Sequence, residues 1–102
     1  MDIQKLLEQA KKMQQDLGTI EEELSMTVYK GESGGKDGVI VKVNGKNEAQ
    51  EVIISEQLMN PDDREMLQDM VLIAFNEAVS RVAEDRESRL GGITQGLNLP
   101  GM

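Results

Sequence analysis

The chain of 102 residues is predicted to be an α+β protein, with a long N-terminal helix, a three-stranded antiparallel meander and a long C-terminal helix, assembled as a homodimer. Three observations lead there. Apolar residues keep a heptad spacing from Ile3 to Leu24, valines alternate up to an Asn44-Gly45 pair, and Asn60-Pro61 opens a long apolar-rich run.

The first helix follows from Ile3, Leu6, Ala10, Met13, Leu17, Ile20 and Leu24, which repeat at intervals of three and four and form a coiled-coil-like seam. At 1.5 Å per residue the helix should be about 33 Å long. Gly18 lies off the seam and costs about 1 kcal/mol of propensity relative to Ala.

The period then changes. Met26 to Glu32 mixes β-branched, aromatic and polar residues, and Ser33 to Gly38 carries three glycines able to take positive φ in a hairpin loop. Val39, Val41 and Val43 alternate with Ile40 and Lys42, as in a half-buried strand. Asn44-Gly45 signals a two-residue hairpin turn, with the next strand running to about Ser55. Strict pairing through such a turn sets Val41 opposite Glu48 and Ile40 opposite Ala49, which scatters apolar residues over both faces, so a bulge is the expected remedy. Three strands of this length need a cover for their apolar face.

Asn60 as N-cap, Pro61 at the first helical position and the Asp62-Asp63 carboxylates facing the positive end of the dipole predict a helix start. Helix should run to Leu90 and stop at Gly91-Gly92, about 45 Å in all. Residues 1–90 then form a single domain and 91–102 a flexible tail containing Gly and Pro. Met70 to Phe75 is apolar all round, so Met70, Ile73 and Phe75, with Leu17 of the first seam, are expected in the core or the dimer interface. A second subunit would bury what the sheet cannot.

Composition removes whole chemistries. The chain has no Cys, His or Trp, which excludes thiolate nucleophiles, Ser-His-Asp triads, zinc fingers and disulfides. No nucleophile and base can be named together, so no enzyme activity is expected, and no metal, cofactor or small-molecule substrate. No apolar stretch approaches the ~18 residues needed to cross a bilayer, and the N-terminus lacks a signal peptide's pattern. The expected location is the cytoplasm.

Nineteen acidic residues against eleven basic ones give a net charge of −8, which opposes polyanions unless charge is segregated. Acid is concentrated in Glu21-Glu22-Glu23 and between Glu51 and Asp69. Three basic groups remain: Lys5, Lys11 and Lys12; Lys30, Lys36, Lys42 and Lys46; and Arg81, Arg86 and Arg89. Antiparallel packing of the two helices would bring the first and third groups together and offer phosphates a local positive surface. Against this, Glu77, Arg81, Asp85 and Arg89 form a four-residue ladder of alternating charge, as do Glu8, Lys12 and Asp16. Arg86, with no opposite charge four residues away, is expected to be the least committed arginine.

Four strings along the chain resemble the bacterial YbaB/EbfC nucleoid-associated proteins. They are Gln9-Ala10-Lys11-Lys12-Met13-Gln14, Val41-Lys42-Val43-Asn44-Gly45, Ala74-Phe75-Asn76-Glu77-Ala78 and Gly96-Leu97-Asn98-Leu99-Pro100-Gly101. The resemblance covers essentially the entire sequence in order. It implies a YbaB-like homodimer with helices projecting like tweezers, binding double-stranded DNA and shaping the nucleoid or regulating genes. Through the matched strings it points to Lys11 and Lys12 as DNA contacts, and more loosely to Lys5, Arg81, Arg86 and Arg89. Asn76 receives no catalytic role. The alternative is an acidic interaction module that recruits a basic nucleoid or recombination protein through Glu21 to Glu23 and Glu51 to Asp69.

Overall fold

The computed structural model describes residues 2–97. In chain order it contains α1 (Ile3–Met26), β1 (Val28–Ser33), β2 (Val39–Asn44), β3 (Ala49–Ile54) and α2 (Arg64–Leu97). Short 3-10 turns occupy Gly35–Asp37, Glu56–Leu58 and Pro61–Asp63. The molecule is elongated, 69 × 25 × 18 Å with a radius of gyration of 19.7 Å, where a compact chain of this length would have about 13 Å. Helices project from a small body. No described helix is long and apolar enough to cross a membrane.

Asp2 caps α1 by accepting the Gln4 N–H at 3.0 Å, and Thr27 ends it in extended backbone. The seam is helical as expected, yet only Leu24, in its last full turn, is buried. Ile3 and Leu7 stay 71% and 65% exposed. α1 therefore meets the core only near its end, through Leu24 with the half-buried Ile20 packed beside it.

The sheet is an antiparallel meander in the order β1-β2-β3. Val39, Val41 and Val43 of β2 are buried with Leu24, Tyr29, Leu58, Ala74, Ala78 and Val82, so α2 lies across β1 and β2. In the β2–β3 pairing Val41 faces Val52 and Val39 faces Ile54, with a bulge between Lys42 and Val43. The bulge restores the apolar face that strict pairing would have scattered.

The hairpin turn itself departs from the expected two-residue form. Asn44 N–H donates to the Glu48 carbonyl at 3.0 Å, closing a longer loop, while the Asn44 side-chain oxygen accepts from Lys46 N–H at 2.9 Å and Glu48 N–H at 3.1 Å. Positive φ falls on Asn47 (+62°) instead of Gly45. Gly45 is required for another reason: a Cβ there would overlap the backbone of Leu24, to whose carbonyl the Gly45 N–H donates at 2.8 Å.

Two boundaries of the second helix also differ. Asn60 does cap, accepting Asp62 N–H at 3.1 Å, but the turn it caps is 3-10 and α2 proper begins at Arg64. At the other end α2 passes through Gly91-Gly92 to Leu97. Neither glycine takes the positive φ that ends a helix, and the helix runs on through both despite a propensity cost of about 1 kcal/mol per glycine. The expected tail thus starts as helix, and its flexibility beyond residue 97 lies outside the described residues.

The apolar girdle of α2 is only partly covered within one chain. Ala74 is buried, Met70, Val71 and Phe75 are half-buried, and Leu72 and Ile73 are 59% and 54% exposed. Beyond α2's reach, Val52 and Ile54 present the sheet's helix-side face to solvent.

Candidate nucleic-acid interface

α1 and α2 run antiparallel, the turns around Glu21 and Glu23 meeting Arg86 and Arg89. Further out, Gln9, Lys12, Met13 and Asp16 face Arg89, Gly92 and Ile93 across a crevice. The expected convergence of the first and third basic groups is thereby realised for Lys12 and Arg89. Lys5 and Lys12 line an adjoining hollow with Glu8 and Gln9; seven residues apart, they share one helix face. Lys5, Lys11 and Lys12 are exposed and make no ion pair among the described residues.

The arginines are placed differently. Arg81 pairs with Glu77 at 3.0 Å, as the ladder predicts. It sits about 12 Å along the axis from Arg89, nearer to Glu32 of β1, whose carboxyl is held below its usual pKa mainly by its hydrogen bond to Lys30 and in part by Arg81. Arg89 donates from Nε to Asp85 at 3.1 Å and pairs with Glu23 at 2.7 Å. Arg86, expected to be the least committed, is the most deeply engaged: its Nη2 donates to the Gly45 carbonyl at 2.8 Å and lies 3.3 Å from Glu21. Its Nε is buried without a hydrogen-bond partner. Local spacing missed these partners because they come from other elements. No i, i+4 rule reports a pair 65 residues apart.

A second group escaped the sequence reading. The Tyr29 hydroxyl donates to Asp85 Oδ2 at 2.5 Å, tying β1 into the Asp85–Arg89–Glu23 chain. This bond, and next the Arg89 guanidinium, hold the Asp85 carboxyl below its usual pKa, while burial and then Asp85 push the Tyr29 hydroxyl up. A carboxyl depressed in the folded state stabilises fully above its unfolded pKa and loses that contribution as pH falls through the folded value. The stability gap between parent and Asp85→Asn in urea titrations should therefore be largest near pH 7 and close as pH falls below about 4. A gap that widens on acidification would refute the assignment.

The acidic surface is also altered by packing. Glu21 and Glu23 face α2's arginines, so the Glu21-Glu22-Glu23 triplet is not a free anionic patch. Along the outer part of α1, Lys5, Lys11 and Lys12 form no ion pair among the described residues, and neither do Glu8 and Asp16 beside them.

The model of the YbaB/EbfC DNA-binding family matches residues 1–97. A nucleoid-associated protein of Desulfotalea psychrophila is 41% identical over 101 residues, covering 98% of this chain and 93% of that protein. Another from Clostridium novyi is 40% identical over 102 residues, covering 100% and 89% respectively. Among solved structures, an uncharacterized protein from Helicobacter pylori superposes with a TM-score of 0.78 at 26% identity, over 92% of this chain and 98% of that one.

Proposed function

The chain belongs to the YbaB/EbfC DNA-binding family, a family of nucleoid-associated proteins and not of enzymes, and we propose that it binds double-stranded DNA as a homodimer in the cytoplasmic nucleoid, organising it or regulating genes there. The observation that carries the reading is the set of unpaired lysines, Lys5, Lys11 and Lys12, on the projecting part of α1. A two-fold dimer presents two such tips to a duplex. Lysines neutralise phosphates and read few base edges, so binding is largely indifferent to sequence.

The dimer is supported by apolar surface that one chain leaves open. Val52 and Ile54 of β3 and Leu72 and Ile73 of α2 are all exposed, large apolar side chains that a second chain would cover. Leu17 of α1 is likewise 37% exposed, and Met70 and Phe75 are half-buried against the core.

If the six tip lysines of a dimer each engage a phosphate, log K for a duplex should fall with log salt at a slope near −5. Gel retardation at two salt concentrations measures it, with sedimentation reporting the oligomer. A monomer at micromolar concentration, no shift at about 50 mM salt, or a shift indifferent to salt would overturn the reading. The basic-partner alternative loses Glu21 and Glu23, which already have arginine partners, and is left with the acidic surface between Glu51 and Asp69.

A further inference from the structure

We infer that Arg86 is a positioning residue for DNA binding: it fixes the direction in which α1 carries its lysines, and it does not itself meet phosphate. The inference rests on the reading of α1 as the DNA-contacting tip.

α1 is a lever with one end held. From Leu24, its only buried residue, to Ile3 the helix extends about 31 Å, so a pivot of about 10° at the last turn displaces the tip by about 5 Å. That is enough to take a lysine out of reach of its phosphate. The pivot is restrained by a short chain of hydrogen bonds. Gly45 N–H donates to the Leu24 carbonyl at 2.8 Å, and the Gly45 carbonyl accepts from Arg86 Nη2 at 2.8 Å. One peptide-bonded residue thus joins the end of α1 to the middle of α2. A charged donor on a part-buried carbonyl is the stronger restraint; the Glu21 pair at 3.3 Å, with that carboxylate's side chain 55% exposed, adds little.

Two of the three guanidinium nitrogens are buried or committed, while the Arg86 side chain keeps 37% exposure. Its Nε is buried, and its Nη2 is committed between the loop and α1. Lys5, Lys11 and Lys12, by contrast, point from the lever with nothing to hold them among the described residues.

The chain has no cysteine, so spin labels at Glu8→Cys on α1 and Ser80→Cys on α2 report the lever angle, with excess unlabelled protein suppressing distances between subunits. A narrow distance distribution should broaden in Arg86→Ala. If the held pose falls to about a tenth of the population, apparent DNA affinity drops about tenfold, with the salt slope unchanged. Lys12→Ala, which removes one phosphate contact per subunit, should flatten that slope by about 2.

Arg86→Lys keeps the charge without the planar fork. It should still broaden the distribution and recover only part of the affinity, and it decides the matter if Arg86→Ala does not fold. Unchanged distance distributions, a slope flattened as by Lys12→Ala, or full recovery in Arg86→Lys would each overturn the inference. Absence of any DNA shift by the parent protein would instead sink the DNA reading, while the distances would still show whether Arg86 sets the lever.

Discussion

Replacing Lys11 and Lys12 together with Glu should abolish retardation of duplex DNA at about 50 mM salt while leaving the fold and the oligomer intact. Both side chains are exposed and neither forms an ion pair among the described residues, so the stability change should stay within about 0.5 kcal/mol. Circular dichroism and sedimentation check that. The effect on binding is large for two additive reasons. Four of the six proposed phosphate contacts per dimer disappear, which lowers the salt slope to about −2 and affinity by at least a hundredfold. Four carboxylates then stand at the tips of a dimer whose chains already carry −8 each, so repulsion replaces attraction where a polyanion must approach. Retardation with undiminished affinity would move the contact surface away from α1. A basic protein still captured by the double variant, with DNA never bound by the parent, would favour the acidic-module reading.

The sequence made element types legible and tertiary partners illegible, for a physical reason visible in particular residues. The heptad seam, the alternation at Val39–Val43 and the Asn60-Pro61 signal are local regularities, and each marks an element of the structure. Gly91-Gly92 misled because a helix stop is a local preference of only about 1 kcal/mol per residue, and neither glycine takes the positive φ that would end the helix. Gly45 misled in the opposite direction: it resembles a turn glycine, yet its absent side chain makes room for Leu24. Arg86 looked free because its partners, Glu21 and Gly45, lie 65 and 41 residues away. Among the site residues, the unpaired state of the α1 lysines was the harder property to read, since Glu8, Lys12 and Asp16 have the spacing of a ladder that forms no ion pair among the described residues.

Gly31→Ala should destabilise the protein by about 3 kcal/mol, a large loss from a single added carbon. Gly31 is buried in β1 opposite Val41, where the strand crosses α2 at Ala74 and Ala78. A Cβ at Gly31 would overlap the Ala74 carbonyl oxygen and crowd the Ala78 amide nitrogen. Both obstacles are backbone atoms, so no rotamer change relieves them and the helix must lift from the strand. A cost at the upper end of the usual 1–3 kcal/mol for overpacking is a large part of a total stability of about 5–15 kcal/mol, and it should lower Tm by about 15 °C. Gly18→Ala is the matched opposite: nothing lies within 4 Å of its added carbon, so the helix should gain about 1 kcal/mol. Lifting α2 from β1 would also displace Arg86 and Arg89, which stand 8 and 11 residues beyond Ala78 on the same helix, and so disturb the hold on α1. DNA affinity of Gly31→Ala should therefore fall even at temperatures where the variant remains folded. A melting point within about 2 °C of the parent's, less than 1 kcal/mol would produce, would mean that strand and helix do not approach as closely as Gly31, Ala74 and Ala78 require.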